Sequence, residues 1–498
     1  MEIVVVIFAM LLLLVLSNLA VRLLPFVSLP LHQIALGVAF GMFPASHALE
    51  LEAEMFLLIF VAPLLFMDSK TVSNSQLWRH RNSILSMSVA LVFATVLLVG
   101  PVIHMLVPAL PLAGAFAIAA ILSPTDPVAV KAIFGKLNVP HRQKIVLEGE
   151  SLINDAAGLV TFRFALAALI TGSFSLVEAG LQFALVAGGG IVVGAAAMSA
   201  LMVLTRLLMR LGVADTNVYA LVRLAAPFAV FLAAESLHFS GVLAVVCAGI
   251  VSSVGHAHVI RQQEAQIRFV SDGAWSMALF VLNGFVFLYL GTHMPRIIEA
   301  RLAQSGGLGL VRDIGTVLLV YLAVMLVRFF WVFLFIENGL MKKSLFATLS
   351  GVKGAITLAA AFSIPLTFAL GDGGEIPFFE RDLILFVCGG VIVVSILAAS
   401  ALLPLLSEKS TGRKELMEHG ARKRLISTAI KKEQEALMKN SCISLDELAA
   451  QVHNAERALI KEMYGKGEID KATKIRLTLD ITLEEVAQLE DKLHELEE

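Results

Sequence analysis

Up to Leu406 this chain is a succession of apolar runs about twenty residues long, and that pattern constrains the fold more than any single residue does. A run of that length crosses a bilayer as a helix, because hydrocarbon offers no partner for an unpaired backbone N–H or C=O. About thirteen candidate spans fall at 3–22, 30–44, 52–67, 83–107, 112–134, 145–171, 180–207, 217–236, 240–254, 270–290, 309–335, 344–369 and 383–406. Beyond Leu406 the sequence turns polar and rich in Lys, Glu, Leu and Ala. The expected fold is an all-α polytopic membrane protein, with a transmembrane domain over 1–406 and a small helical cytoplasmic domain over 407–498. Only 16% of the 498 residues are charged, well below the quarter or so of a soluble chain.

The net charge of −2 gives no support to a nucleic-acid partner. Three cysteines, Cys247, Cys388 and Cys442, suit neither a disulfide scaffold nor a zinc site. The first apolar run lacks a basic flank and reads as a retained span rather than a signal peptide. Lys and Arg gather in alternate loops (Arg22; Lys70, Arg79 and Arg81; Lys136, Arg142 and Lys144; Arg206 and Arg210; Arg261 and Arg268; Lys342 and Lys343). That bias places the N-terminus outside and the tail in the cytoplasm; the expected location is the plasma membrane, as a bacterial inner membrane. Arg296, Arg301, Arg312 and Arg381 are exceptions on the outer side.

Two spans are built unlike the rest. The fifth carries Pro124 and Pro127 on either side of Thr125-Asp126, and each proline removes a backbone donor and clashes with the preceding turn. The twelfth has Gly351, Lys353 and Gly354 near its start and Pro365 further on. These are the fifth of the first six spans and the fifth of the last six. Interruptions at matching places in two halves point to an inverted-repeat carrier with its site at the breaks. In the tail, 426–438, 445–464 and 479–496 have helical apolar spacing, with capping boxes at Ser444/Glu447 and Thr482/Glu485.

The chemistry sits at those breaks. Asp126 lies in SPTDPVAV (Ser123 to Val130) and Asp155 in GESLINDAAGLV (Gly149 to Val160). An ionisable group in a span costs several kcal/mol and marks an ion or proton path by default. Burial favours a carboxyl's neutral form and a nearby cation its ionised form, so such a group can exchange a proton for a hard monovalent cation. Asn154 adds a carbonyl oxygen, Ser151 a hydroxyl, and Thr125 a hydroxyl and a freed backbone carbonyl. Oxygen ligands suit alkali cations by hardness, and Ser151 and Asp155 share a helix face. Asp155, Ser151 and Thr125 are the candidate cation ligands; the alternative for Thr125 is a hydroxyl bonded to its own helix. Glu150 and Lys353 are expected to pair, since neither is stable charged and alone in a membrane. Glu235, His238, Arg163, Arg223 and Arg328 read as interfacial or paired side chains, and His256 and His258 as loop residues.

SPTDPVAV, GESLIND, the AE-x-x-H-x-SG segment at Ala234 to Gly241 and GVKGAITLA together resemble the monovalent cation/proton antiporter family, in its electroneutral sodium/proton exchanger branch. The resemblance covers the chain to about Leu406; the tail resembles nothing known to us. It implies a homodimer with a dimerisation region and a mobile core of crossed, broken helices. It also implies exchange of Na+ (K+ or Li+ as alternatives) for H+ with no cofactor beyond those ions, in the service of pH homeostasis. Asp155 would be the carrier, with Thr125, Asp126, Asn154 and Ser151 around it, and the Asn154-Asp155 pair implies electroneutrality. The sequence departs from the family at Lys353, where an arginine is usual, and lysine cannot make the bidentate fork. It departs again after the Pro63 run, where the family's acidic position aligns with Met67. Asp68 is one place on, about 100° around a helix, and is not assigned to ion binding.

Two other classes compete. A cation channel or uniporter needs no titrating carboxylate in a broken helix, and no filter-like repeat is present. An intramembrane aspartyl protease needs a Gly-x-Gly-Asp-type context, and the one similar string, Gly371-Asp372-Gly373, falls in an outer loop.

Overall fold

The computed structural model describes residues 2–24, 27–44, 52–71, 78–126, 130, 139, 141–171, 176–211, 216–255, 262–364, 367–369, 375–377, 381–406, 420–428, 445–465 and a few positions from 469 to 481. The chain divides into two compact units, Met1–Glu408 and Lys409–Glu498.

The described residues of the first unit are mostly helical, the form in which a spanning segment satisfies its own backbone. Its helices are α1 (Glu2–Leu23), α2 (Leu29–Gly41) and α3 (Ala53–Phe56, a π-turn Leu57–Val61, then Ala62–Thr71). Then come α4 (Arg81–Leu85, a π-turn Ser86–Ala90, Leu91–Leu106), α5 (Leu112–Ile121), α6 (His141–Thr171), α7 (Leu176–Arg210), α8 (Thr216–Ser236) and α9 (Gly241–Gly255). Helix α10 (Gln262–Trp331, ending in a π-turn Val332–Ile336) has two limbs that meet at Gly306, whose φ of 67° is left-handed. It is followed by α11 (Met341–Leu349), α12 (Ala355–Phe362) and α13 (Arg381–Leu406), with strands β1 (Thr367–Ala369) and β2 (Glu375–Pro377) pairing antiparallel before α13.

Among the described residues, seven stretches are long and apolar enough to cross a membrane, and the one over Val270–Ile336 is more than twice the length a single crossing needs. It takes in the expected spans 270–290 and 309–335. Two expected spans are broken rather than continuous. In the span at 112–134, α5 ends at Ile121 and the chain runs non-helical through 123–126, and Pro127 lies outside the described residues. The span at 344–369 is divided into α11 and α12 by a non-helical stretch at 351–354, and β1 begins at Thr367.

Close helix contacts run mostly within two groups of elements, bridged where Gly389 of α13 meets Met294 and Leu290 in the first limb of α10. Gly37 and Gly41 of α2 lie against Leu288, Gly291 and Thr292 in the first limb of α10; Gly249 of α9 lies against Phe66 and Ser69 of α3; and Gly194 of α7 lies against Ala244 of α9. In the other group Gly100 of α4 abuts Phe116 of α5, Gly158 of α6 abuts Pro124, and Gly390 of α13 abuts Val317 in the second limb of α10. This second group repeats one order twice: a long helix, an interrupted one, a long helix. It is α4, α5 with its break, and α6, then the second limb of α10, α11 with α12, and α13.

One of the arginines that break the loop-charge pattern is explained locally. Arg301 is buried and donates to Asp313 Oδ2 through Nε (2.9 Å) and Nη2 (2.8 Å), closing the two limbs of α10 across Gly306. A cation neutralised in this way does not count as a topogenic loop charge.

The second unit contains α14 (Leu445–Gly465), which covers the expected tail helix at 445–464. Ile460 and Met463 pack with Ala421, Leu425, Ile469, Leu477 and Ile481. Most of the expected helices at 426–438 and 479–496, together with Ser444, Thr482 and Glu485, lies outside the described residues.

Candidate ion-binding site

The two interrupted segments cross at the centre of the second group. A helix that stops in mid-membrane leaves carbonyls without partners. At the end of α5 they are taken up by side chains from elsewhere: Thr357 Oγ1 donates to Ile121 O (3.0 Å), and Lys353 Nζ donates to Ser123 O (3.1 Å) and Pro124 O (3.0 Å). Ser151 Oγ donates to Thr125 O (2.7 Å), and Asn154 Nδ2 to Thr125 Oγ1 (2.9 Å). The Thr125 hydroxyl therefore serves α6 rather than its own helix. Backbone joins backbone where Asp126 N–H donates to Val352 O (2.7 Å), and Lys353 N–H donates to Ser395 Oγ of α13 (3.0 Å). A Cβ on Gly354 would collide with the Asp126 carboxylate, so the crossing needs glycine there.

Lysine 353 is thus placed with its side-chain nitrogen at the carbonyl end of a half-helix, where the helix dipole favours positive charge. This corrects the expected Glu150–Lys353 pair. Glu150 is held by Arg328 of α10: Nη1 bonds Oε1, Nη2 donates to Oε2 (2.8 Å), and Nε and Nη2 also donate to Ala347 O (both 3.3 Å). The guanidinium supplies the bidentate fork that a lysine cannot. A Cβ on Gly351 would sit 2.6 Å from Arg328 Nε, so this residue too is small for a reason of space.

Asp155 is 5% exposed and, among the described residues, takes part in no hydrogen bond or ion pair. It lines a cavity of ≈ 410 Å³, part of it open to solvent, together with Pro124, Thr125, Asp126 and Thr357 from the crossing, Asp68 from α3 and Asn283 from the first limb of α10. The charges that bear on it are those of Asp126, Asp68, Lys353 and Glu150. Beside it, Asn154 Oδ1 is buried without a hydrogen-bond partner, as is Ser123 Oγ. Such atoms are rare in folded proteins and suit a site that takes a ligand.

A run of aromatic rings lies on the same three helices as much of the cavity lining, without lining the cavity itself. Phe56 and Phe60 of α3, Phe285 and Tyr289 of α10 and Phe362 of α12 touch in sequence, with centroids 5.0 to 5.6 Å apart. On all three helices they lie to the same side of the residues that line the cavity.

Sequence reasoning reached Thr125, Asp126, Ser151, Asn154 and Asp155, and the structure brings these together. It read Arg328 only as a residue that snorkels or pairs, left Asp68 unassigned and passed over Asn283. Glu235 accepts from Arg163 Nη2 (3.3 Å) and from Gly241 N–H (3.0 Å), so it caps α9 after a turn in which His238 is left-handed (φ 58°). Gly371-Asp372-Gly373, His256 and His258 lie outside the described residues.

A bundle of long helices with two crossed breaks and a buried carboxylate at the crossing defines a membrane carrier. The family model for the transmembrane part of sodium/hydrogen exchangers matches residues 7–408, and the chain belongs to that family. It is 37% identical over 538 residues to the "Sodium, potassium, lithium and rubidium/H(+) antiporter" of Bacillus pumilus, covering 100% of this chain and 78% of that protein. It is 41% identical over 446 residues to the protein of the same name from Bacillus subtilis, covering 86% and 65%. The sodium proton antiporter MjNhaP1 of Methanocaldococcus jannaschii has the same fold, with a TM-score of 0.59 at 20% identity over 82% of this chain and 98% of that one. The chain is therefore an integral membrane cation/proton antiporter of a transporter family, which leaves the channel and protease readings without support.

Proposed function

We propose that the protein exchanges an alkali cation for H+ at a single carboxylate, Asp155, by alternating access. One observation carries the reading: Asp155 is buried at the crossing, faces the cavity and takes part in no hydrogen bond or ion pair among the described residues. A carboxylate kept in low dielectric without a counter-ion is neutral with a proton or neutral with a cation, and either form can cross where the bare charge cannot. Competition for one site then gives one cation for one proton, with no net charge moved. Ser151, the Thr125 oxygens and Asn154 Oδ1 offer further hard ligands, and Asp126 with Lys353 balances charge around the unwound segment. Na+ is the first expectation, with K+ or Li+ as alternatives; the names of the Bacillus relatives include all three.

With the N-terminus outside and the tail in the cytoplasm, as the loop charges suggest, the aromatic stack lies toward the outer side of the cavity. The protein is taken to work in the plasma membrane, as a homodimer. In the exposed apolar faces of α1 (Val4, Phe8) and α7 (Leu181, Leu185) it has surface for lipid and for a second copy. Reconstituted in proteoliposomes, it should move protons against an imposed Na+, K+ or Li+ gradient without needing a membrane potential. Exchange that survives in Asp155→Ala, or current that persists without a proton gradient, would remove this reading.

A further inference from the structure

The cavity is lined by both helix groups. The crossing contributes Asp155, Asp126 and Thr125; the first limb of α10, which packs on α2, contributes Asn283. Asn283 sits in Phe280-Val281-Leu282-Asn283-Gly284-Phe285, an otherwise apolar stretch, and is half-buried. Among the described residues its amide has no hydrogen-bond partner. A primary amide offers a carbonyl oxygen and two N–H donors, and leaving them all unused in an apolar helix is unfavourable unless something else takes them up. The following glycine packs on a different face of the limb. A Cβ on Gly284 would sit 2.8 Å from Gln33 Nε2 and collide with Leu14, so that face of the limb is seated on α1 and α2, while the preceding residue, Asn283, lines the cavity.

We propose that Asn283 is a specificity-determining residue for the transported cation, its side-chain oxygen acting as a ligand from the helix group that does not carry Asp155. This rests on the reading of Asp155 as the exchange site. The neutral amide fits the task. It adds a hard oxygen for a partly dehydrated alkali cation without adding a charge, so it can change which ion is held while leaving the one-for-one coupling alone. Contributed from across the two groups, the ligand is offered only when they are apposed as they are here. Asn283 thereby links occupancy to conformation.

The test is exchange by proteoliposomes of Asn283→Ala and Asn283→Ser with Li+, Na+ and K+ measured separately, beside Asp155→Asn. Asn283→Ala should raise KM on the order of tenfold for at least one cation, more than it lowers kcat, and should change the ratio of KM values among the three ions. Asn283→Ser, which keeps a smaller oxygen, should recover part of that loss. Should Asn283→Ala be inactive, the upward shift in melting temperature that each cation gives the purified protein decides, and it should be reduced unequally among the ions. KM values or melting shifts equal to those of the parent for all three ions would overturn the assignment. Activity in Asp155→Asn would instead overturn the exchange site itself, so the two failures are distinct.

Discussion

Glu150 and Asp155 stand five residues apart on α6, both buried and both close to the crossing, yet their surroundings are opposite. Glu150 is 1% exposed and grasped by Arg328, which is 3% exposed and spends its remaining donors on Ala347 O. Asp155 is nearly as buried and faces a cavity, with no donor from the described residues. A carboxylate fully satisfied by a guanidinium has nothing to gain from a proton or a passing cation, so it serves as structure. One without a partner has everything to gain from either. On this helix the partner, not the depth, sets the acid proposed to transport apart from the one that holds structure.

The largest effect that would break the contrast is at Asp155. Asp155→Asn preserves shape and removes the charge, and exchange should fall to that of empty liposomes while the protein still folds. Next comes Arg328. Arg328→Met should leave Glu150 charged and unpaired and destabilise the fold by about 3–5 kcal/mol. Adding Glu150→Gln should recover much of that loss, because the pair's desolvation is then removed as well. Thermal unfolding of the two variants checks this. A single Arg328→Met variant as stable as the parent would mean that Glu150 draws its stability from elsewhere.

The same contrast explains what the sequence disclosed. The membrane fold was legible because twenty-residue apolar runs admit few alternatives. The crossing was legible too, since Pro124 and the Gly351–Gly354 stretch interrupt runs that would otherwise stay helical. Arg328 gave no such signal: it lies inside Leu326-Val327-Arg328-Phe329 with no break beside it, and its partner is 178 residues away. Lys353 was drawn to Glu150 by charge alone, whereas the half-helix end at Ser123 and Pro124 supplies neutral acceptors that pattern reading does not count. Asn283 carries no charge at all. Asp68 was set aside on a helical rotation, but α3 passes through a π-turn at Leu57–Val61, which shifts the faces that follow it.

Smaller effects sharpen the comparison. Ser151 donates one hydrogen bond to Thr125 O, so Ser151→Ala should cost about 0.5–1.5 kcal/mol of stability and weaken cation affinity more than it slows turnover. Comparing KM and kcat with the melting temperature of the same variant separates a ligand from a mere strut.

The smallest effect belongs to the third kind of acid on the page. Glu235 pairs with Arg163, but the two side chains are 32% and 41% exposed, so water screens the pair. Arg163→Gln should change stability by less than about 1 kcal/mol, and the difference should shrink as salt is raised. Glu235→Ala should cost more, about 1 kcal/mol or somewhat above, because it also removes the acceptor for Gly241 N–H at the start of α9. Salt should leave most of that second loss in place, since it comes from a backbone cap rather than from two exposed charges. Melting curves of both variants at low and high salt would show whether Glu235 acts through Arg163 or through the helix. Equal, salt-sensitive losses would place it with the ion pairs after all.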